Sequence, residues 1–239
     1  MAVCAVLAVA EAVYVLLGFG AGLIAVGSLA LLLPELRDVV VLLLLVNLPA
    51  ELWVVRKSWQ KISWRGVLVL FAGVAVGIPV GTWVLRWGNP RFLLVVLGVF
   101  LVAVGVAFLL SPRTVRRGWP PWVAPPVGVL SGLLTGLFGT GGPPLVLYYQ
   151  LGGADKAAFR GNLMAIFLLM TTVRVPSYAA FGLITAPRLW SALAVMPAVL
   201  IGAFIGNHIH LRIEETTFRR AVSVALALIG LLLLVPGNH

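Results

Sequence analysis

Gly139-Thr140-Gly141-Gly142-Pro143-Pro144 lies inside an uncharged apolar stretch running from Trp122 to Leu151. As one straight helix that stretch would extend about 45 Å, against a hydrocarbon core of about 30 Å. Two adjacent prolines cannot continue the intrahelical hydrogen-bond ladder either. The helix has to break at the glycines. Broken backbone at membrane depth is tolerated only where protein buries it or where it lines a cavity, because lipid cannot satisfy the freed N–H and C=O groups. Residues 139–144 are therefore the first place to seek a bound solute.

The rest of the chain has the composition of a membrane protein. Of 239 residues, 62% are hydrophobic and 10% charged, and the mean hydropathy of +1.11 lies outside the soluble globular range. Apolar runs at 2–33, 39–55, 66–85, 92–110, 122–151, 157–184, 189–211 and 221–235 leave no room for a folded soluble domain. The net charge of +10 sits in short loops between these runs. That placement fits membrane orientation and anionic headgroups, not nucleic acid. Cys4, the single cysteine, excludes an internal disulfide and a Cys-rich metal site. Met1 to Tyr14 has no positive leader region and runs into further membrane sequence, so it reads as a retained segment.

The chain is duplicated in outline. Gly22 aligns with Gly136, Asn47 with Asn162, and Gly77-Ile78-Pro79-Val80-Gly81 with Gly202-Ala203-Phe204-Ile205-Gly206, at offsets drifting only from 114 to 126. This predicts a first repeat over 1–111, a basic linker over 112–121 and a second repeat over 122–239. The first repeat has its own overlong segment, Ala2 to Leu33, with Gly18, Gly20, Gly22 and Gly27 at its weak point.

Loop charges arbitrate the topology. Eight single crossings divide the loop Lys and Arg almost evenly between the two faces. If each overlong segment instead enters and returns as a hairpin, loops 56–65, 113–117, 156–160 and 212–220 share one face with twelve positive residues against five. Orientation follows such asymmetry, so the hairpin plan is preferred. The expected fold is an all-α polytopic membrane protein of two inverted repeats. Each repeat has a broken, re-entrant Gly-Pro hairpin and three transmembrane helices, with both termini outside and the hairpins entering from opposite faces.

Gly132-Leu-Leu-Thr-Gly136-Leu-Phe-Gly139-Thr-Gly141-Gly142, then Ala158-Phe159-Arg160-Gly161-Asn162-Leu163, then Gly202 to Gly206 before a charged turn, resembles the TauE/SafE family of sulfite and organosulfonate exporters. That family's motif usually has three consecutive glycines followed by a proline. Here Gly141-Gly142-Pro143-Pro144 stands in the second copy, and Gly22-Leu-Ile-Ala-Val-Gly27-Ser28 with Pro34 in the first. The resemblance implies a secondary carrier for small sulfur-containing anions, working outward, without an ATP-driving domain.

The anion-binding candidates follow from chemistry. Gly139, Thr140, Gly141 and Gly142 could offer backbone N–H groups and a hydroxyl at a helix start, replacing the anion's water; tight helix packing is the competing reading. Gly27 and Ser28 are their counterparts in the first repeat. Arg174 lies within the run from Ala157 to Ile184 with Pro176 nearby. It either presents its planar fork to an oxyanion, or lies past a helix end near Val173 and snorkels to a headgroup. Asn47 and Asn162 could contact substrate or hold helices together. Glu11 could relay a proton, balance Arg174 or reach an interface. Tyr148, Tyr149 and the tryptophans, including Trp53, Trp59, Trp83, Trp87, Trp119 and Trp122, read as interfacial anchors. His208 and His210 at i, i+2 have poor metal geometry.

No metal or cofactor is expected, and no hydrolase, metalloprotease or NTPase motif occurs. The preferred reading is a multi-pass carrier of a small sulfur anion in a prokaryotic-type plasma (inner) membrane, working by alternating access at the hairpin tips. Its partners are that anion and membrane lipids, with homo-oligomerisation left open. The competing readings are an intramembrane enzyme and a non-transporting membrane subunit.

Overall fold

The structure is a computed structural model and describes residues 2–17, 21–33, 35–58, 62–110, 120–152, 156–208 and 215–235. Gly18, Gly20, the basic linker 112–119, Trp59, Trp119 and His210 lie outside the described residues, as do the side chains of Trp53 and His208. The described residues form ten α-helices and one short 3-10 turn, with no strand among them. In chain order these are α1 (Ala2–Leu17), α2 (Ala21–Leu32), α3 (Leu36–Ser58), α4 (Trp64–Trp87), α5 (Pro90–Leu110), α6 (Ala124–Phe138), α7 (Gly142–Leu151), α8 (Lys156–Ala180), α9 (Ala186–His208) and α10 (Glu215–Leu234).

The first overlong apolar segment is described as two helices, α1 and α2, and the second as α6 and α7, which part at the glycines before Pro143 and Pro144 as length and proline chemistry require. Among the described residues, four helical stretches are long and apolar enough to cross a membrane: Trp64–Trp87, Pro90–Leu110, Gly161–Ala180 and Ala186–Ile205. Pro79, Pro176 and Pro197 lie inside helices without ending them. In α8 the Ser177 hydroxyl donates to the Val173 carbonyl at 2.7 Å, one residue past the proline that supplies no N–H.

The chain divides into two compact units, each drawing on both sequence halves. The first contains Met1–Leu43, Gly88–Pro112 and Ala186–His239. In it α1 packs on α9 and on α2, and α5 packs on α10. Gly202 of α9 lies so close to α1 that a Cβ on it would fall 2.3 Å from the Ala8 carbonyl oxygen. α5 and α10 run antiparallel, with Gly98 against Gly230 and Gly105 against Ser223. Arg188 at the start of α9 holds Asp38 at 2.6 Å and Glu35 at 3.4 Å, near the start of α3.

The second unit contains Leu44–Trp87 and Arg113–Thr185. Its core is a parallel pair, α4 and α6, joined by a ladder of small residues every four positions. Gly73, Gly77 and Gly81 meet Gly128, Gly132 and Gly136, and a Cβ on Gly81 would lie 2.2 Å from the Leu133 carbonyl oxygen. Such spacing lets backbones approach within a membrane, where apolar side chains gain little by leaving lipid. α8 packs on α4, α6 and α7, completing the frame around the second break.

Candidate functional site

The second break is built by three residues. α6 stops at Phe138 because Gly139 takes a left-handed conformation (φ 72°), a backbone state that side chains with a Cβ rarely adopt. Its amide donates to the Thr135 carbonyl at 2.9 Å. Thr140 is buried, and Gly141 caps α7, which starts at Gly142 with Pro143 and Pro144 in its first turn. The chain doubles back here. Gly141 lies beside Ser131, about 10 Å of helix before the end of α6, and its carbonyl accepts the Ser131 hydroxyl. A Cβ on Gly141 would lie 2.1 Å from both the Ser131 carbonyl oxygen and Thr135 Oγ1, so only glycine fits.

This geometry narrows the donor set expected from sequence. The Gly139 amide is engaged by Thr135, and the two prolines have no N–H to give. Among the described residues, no backbone carbonyl takes the amides of Thr140, Gly141 or Gly142. Those three N–H groups, at the positive end of α7, are the part of the expected donor set that this geometry leaves without a backbone partner. Gly142 is open on one side, since a Cβ there would meet only the Phe167 ring, at 3.4 Å.

One face of α8 covers the break. Phe167 reaches Gly142, Met170 Sδ lies 3.4 Å from Thr135 Oγ1, and the Tyr178 hydroxyl donates to the Gly136 carbonyl at 3.1 Å. Arg174 lies one turn before Tyr178 with its guanidinium 5.0 Å from the centre of that ring, a cation–π arrangement. α8 continues through Pro176 to Ala180, and Arg174 is only 5% exposed. The alternative of a helix end near Val173 with a snorkelling arginine is thereby removed. The charge is tied through Tyr178 to the last turn of α6.

The remaining candidates are dispersed. Asn162, buried in the second turn of α8, accepts the Ser63 amide at 2.7 Å and so fixes the start of α4. Asn47 is half-buried in the middle of α3, at a different depth from Asn162 in its own helix. Gly27 and Ser28 lie inside the continuous helix α2, where Gly27 packs against Leu101 and Ile229. Glu11 is buried in α1 and lies, with Gly27 and Ser28, in the first unit.

Ser131, Thr135 and Tyr178 were not singled out by sequence. Tyr178 stands four residues after Arg174, a helical spacing that marks a partner once the helix is known to pass Pro176. Tyr149, expected as a headgroup anchor, is 7% exposed and its hydroxyl has no hydrogen-bond partner among the described residues. Trp83, Trp87 and Trp122 are exposed, as anchors or lipid-facing residues would be.

A polytopic helical chain with four helices long and apolar enough to cross a membrane, a helix pair that doubles back at Gly139–Gly142 and an arginine buried in the same unit, has the build of an integral membrane protein. The family model described as Sulfite exporter TauE/SafE matches residues 3–233, and the chain belongs to that family. It is a transporter, not an enzyme. Among similar proteins, the probable sulfite/organosulfonate exporter TauE of Cupriavidus necator is 28% identical over 223 residues, covering 92% of this chain and 87% of the relative. The probable inner membrane transporter protein TsaS of Comamonas testosteroni is 25% identical over 191 residues, with 80% of each chain covered. The probable membrane transporter protein YunE of Bacillus subtilis is 23% identical, covering 93% of this chain and 92% of the relative. No solved structure matches.

Proposed function

We propose that this chain is a secondary carrier, working outward by alternating access, for a small sulfur oxyanion or organosulfonate in the plasma (inner) membrane. The observation that carries the reading is the second hairpin break, where the amides of Thr140, Gly141 and Gly142, with no backbone partner among the described residues, lie in the unit that buries Arg174. Neutral amides at a helix start and a single guanidinium can replace the water of a sulfonate or sulfite while leaving it weakly enough bound to depart. The printed names of the Cupriavidus and Comamonas relatives support the substrate class and the inner membrane.

Two inverted repeats, 1–111 and 122–239 joined by the linker 112–121, would give six full spans and two hairpins with both termini outside. The α5–α10 packing supports inversion. A shift of 125 residues turns Gly98 into Ser223 and Gly105 into Gly230, so the contact of Gly98 with Gly230 becomes the contact of Gly105 with Ser223. The same shift carries Gly77 to Gly202. A contact set that maps onto itself between antiparallel helices is what a two-fold axis across those helices produces.

Binding of sulfite, sulfate, thiosulfate and small sulfonates to the purified protein tests the site. Removing one charge-assisted contact with Arg174→Gln should weaken the bound anion about 10- to 100-fold. Arg174→Lys should recover only part of that, since the planar fork is lost. An anion that stabilises wild type and Arg174→Gln equally would remove Arg174 from the site. Purified protein that moves no anion in vesicles would favour a non-transporting subunit.

A further inference from the structure

Glu11 is an acidic residue with no ion-pair partner among the described residues. It lies in the third turn of α1, 3% exposed, and its Oε1 has no hydrogen-bond partner among the described residues. Leu7 and Ala10 beside it are equally buried. The elements packed on α1 are α9 and α2. α2 carries no titratable side chain. α9 carries Arg188 and His208. Arg188 is held by Asp38 and Glu35 in the first turn of α9, whereas α1 meets α9 at Gly202, about 21 Å of helix away. The His208 side chain lies outside the described residues. α1 itself adds only half-buried Cys4 and Tyr14, whose side chain is also outside them.

Glu11 is one turn past Ala8, which Gly202 of α9 approaches, and the described side chains of α9 around that point, residues 197–205, include no polar one; those of Asn207 and His208 lie outside the described residues. A metal cation would need several oxygen ligands that this stretch does not supply. A proton needs none beyond the carboxylate. An isolated carboxyl inside a membrane protein is costly to keep as an anion, so its occupancy by a proton changes whenever a conformational change admits water.

We infer that Glu11 is a proton-binding site whose loading and release couple transport by this chain to the proton gradient. The coupling part rests on the carrier reading above; proton binding itself does not. Uptake of one proton neutralises the carboxylate and its release restores it, so the step needs no other reactant.

Two measurements on the full chain test this separately. Infrared difference spectra recorded during a pH titration should show, at higher frequency than the bands of the six other acidic side chains, the carbonyl stretch of a carboxylic acid without hydrogen-bond partners, shifted in heavy water, in wild type and in His208→Gln. It should be absent in Glu11→Gln. Retention of the band in Glu11→Gln, or its absence from wild type, overturns the site. In vesicles, labelled sulfite should exchange across the membrane in both wild type and Glu11→Gln. An imposed pH gradient should accelerate net flux several-fold in wild type and not at all in Glu11→Gln. Equal acceleration in both, loss of the response only in His208→Gln, or no response in wild type overturns coupling through Glu11. No sulfite exchange by wild type would instead count against the sulfite-carrier reading, and the infrared result would still decide proton binding.

Discussion

Gly141 and Gly142 are neighbours in sequence and opposites in environment. A side chain on Gly141 would overlap the backbone of α6, while one on Gly142 would touch only the edge of Phe167. Gly141→Ala should therefore cost at least the roughly 3 kcal/mol upper range of overpacking and reduce the yield of monodisperse protein. Gly142→Ala should fold with a melting temperature near wild type and change only anion affinity, which makes it the cleaner probe. If thermal denaturation ranks the two variants equally, the hairpin geometry is wrong. Tyr178→Phe removes the hydrogen bond to Gly136 while keeping the ring beneath Arg174; a loss of about 1 kcal/mol is expected. The break was legible in Gly139 to Pro144 because helix geometry and proline chemistry are local rules. The fate of Arg174 was not, since an interior proline permits either a stop or a continuation, and only packing against α6 and α7 selects the second.

Helix pairing depends on contacts far apart in sequence, and this is where sequence reading ran short. The fourfold spacing of Gly73, Gly77 and Gly81 on one helix and of Gly128, Gly132 and Gly136 on another was visible, but nothing local says that the two ladders meet. Gly77→Val should separate α4 from α6 and abolish folded protein, whereas Gly66→Ala, where a Cβ meets only Ser63 Oγ at 3.7 Å, should be nearly neutral. The helix starts carry two further ties. Arg188 binds Asp38 and Glu35, and Asn162 binds the Ser63 amide; shifting Ser63 by 125 residues gives Arg188. The ion pair involves acidic groups 43% and 56% exposed, so screening leaves it about 0–1 kcal/mol. The Asn162 bond is formed by a buried side chain, and its loss strands an amide, at about 1–3 kcal/mol. Asn162→Ala should thus lower stability more than Arg188→Ala, and added salt should erode only the Arg188 contribution. The reverse order in chemical denaturation would show that the neutral tie is dispensable.

At the scale of the whole molecule, the number of crossings per repeat decides how the halves are related. Three spans and one returning hairpin place the linker on the opposite face from both termini, and the second repeat then runs inverted to the first. Four spans per repeat would place linker and termini on one face, and the repeats would run alike. With Arg174 buried inside α8, the basic residues near helix ends divide twelve to four, and this favours the first arrangement, because Lys and Arg beside short loops set orientation. The self-mapping of the Gly98–Gly230 and Gly105–Ser223 contacts between antiparallel helices favours it independently. Two single-cysteine proteins in a Cys4→Ala background, Thr114→Cys in the linker and Asn238→Cys near the C-terminus, separate the alternatives. An impermeant thiol reagent applied to intact cells should label Asn238→Cys and leave Thr114→Cys untouched, with the pattern exchanged in inside-out vesicles. Labelling of both from the same face would require an even number of crossings in the second repeat, and the inverted arrangement together with its opposed hairpins would fall.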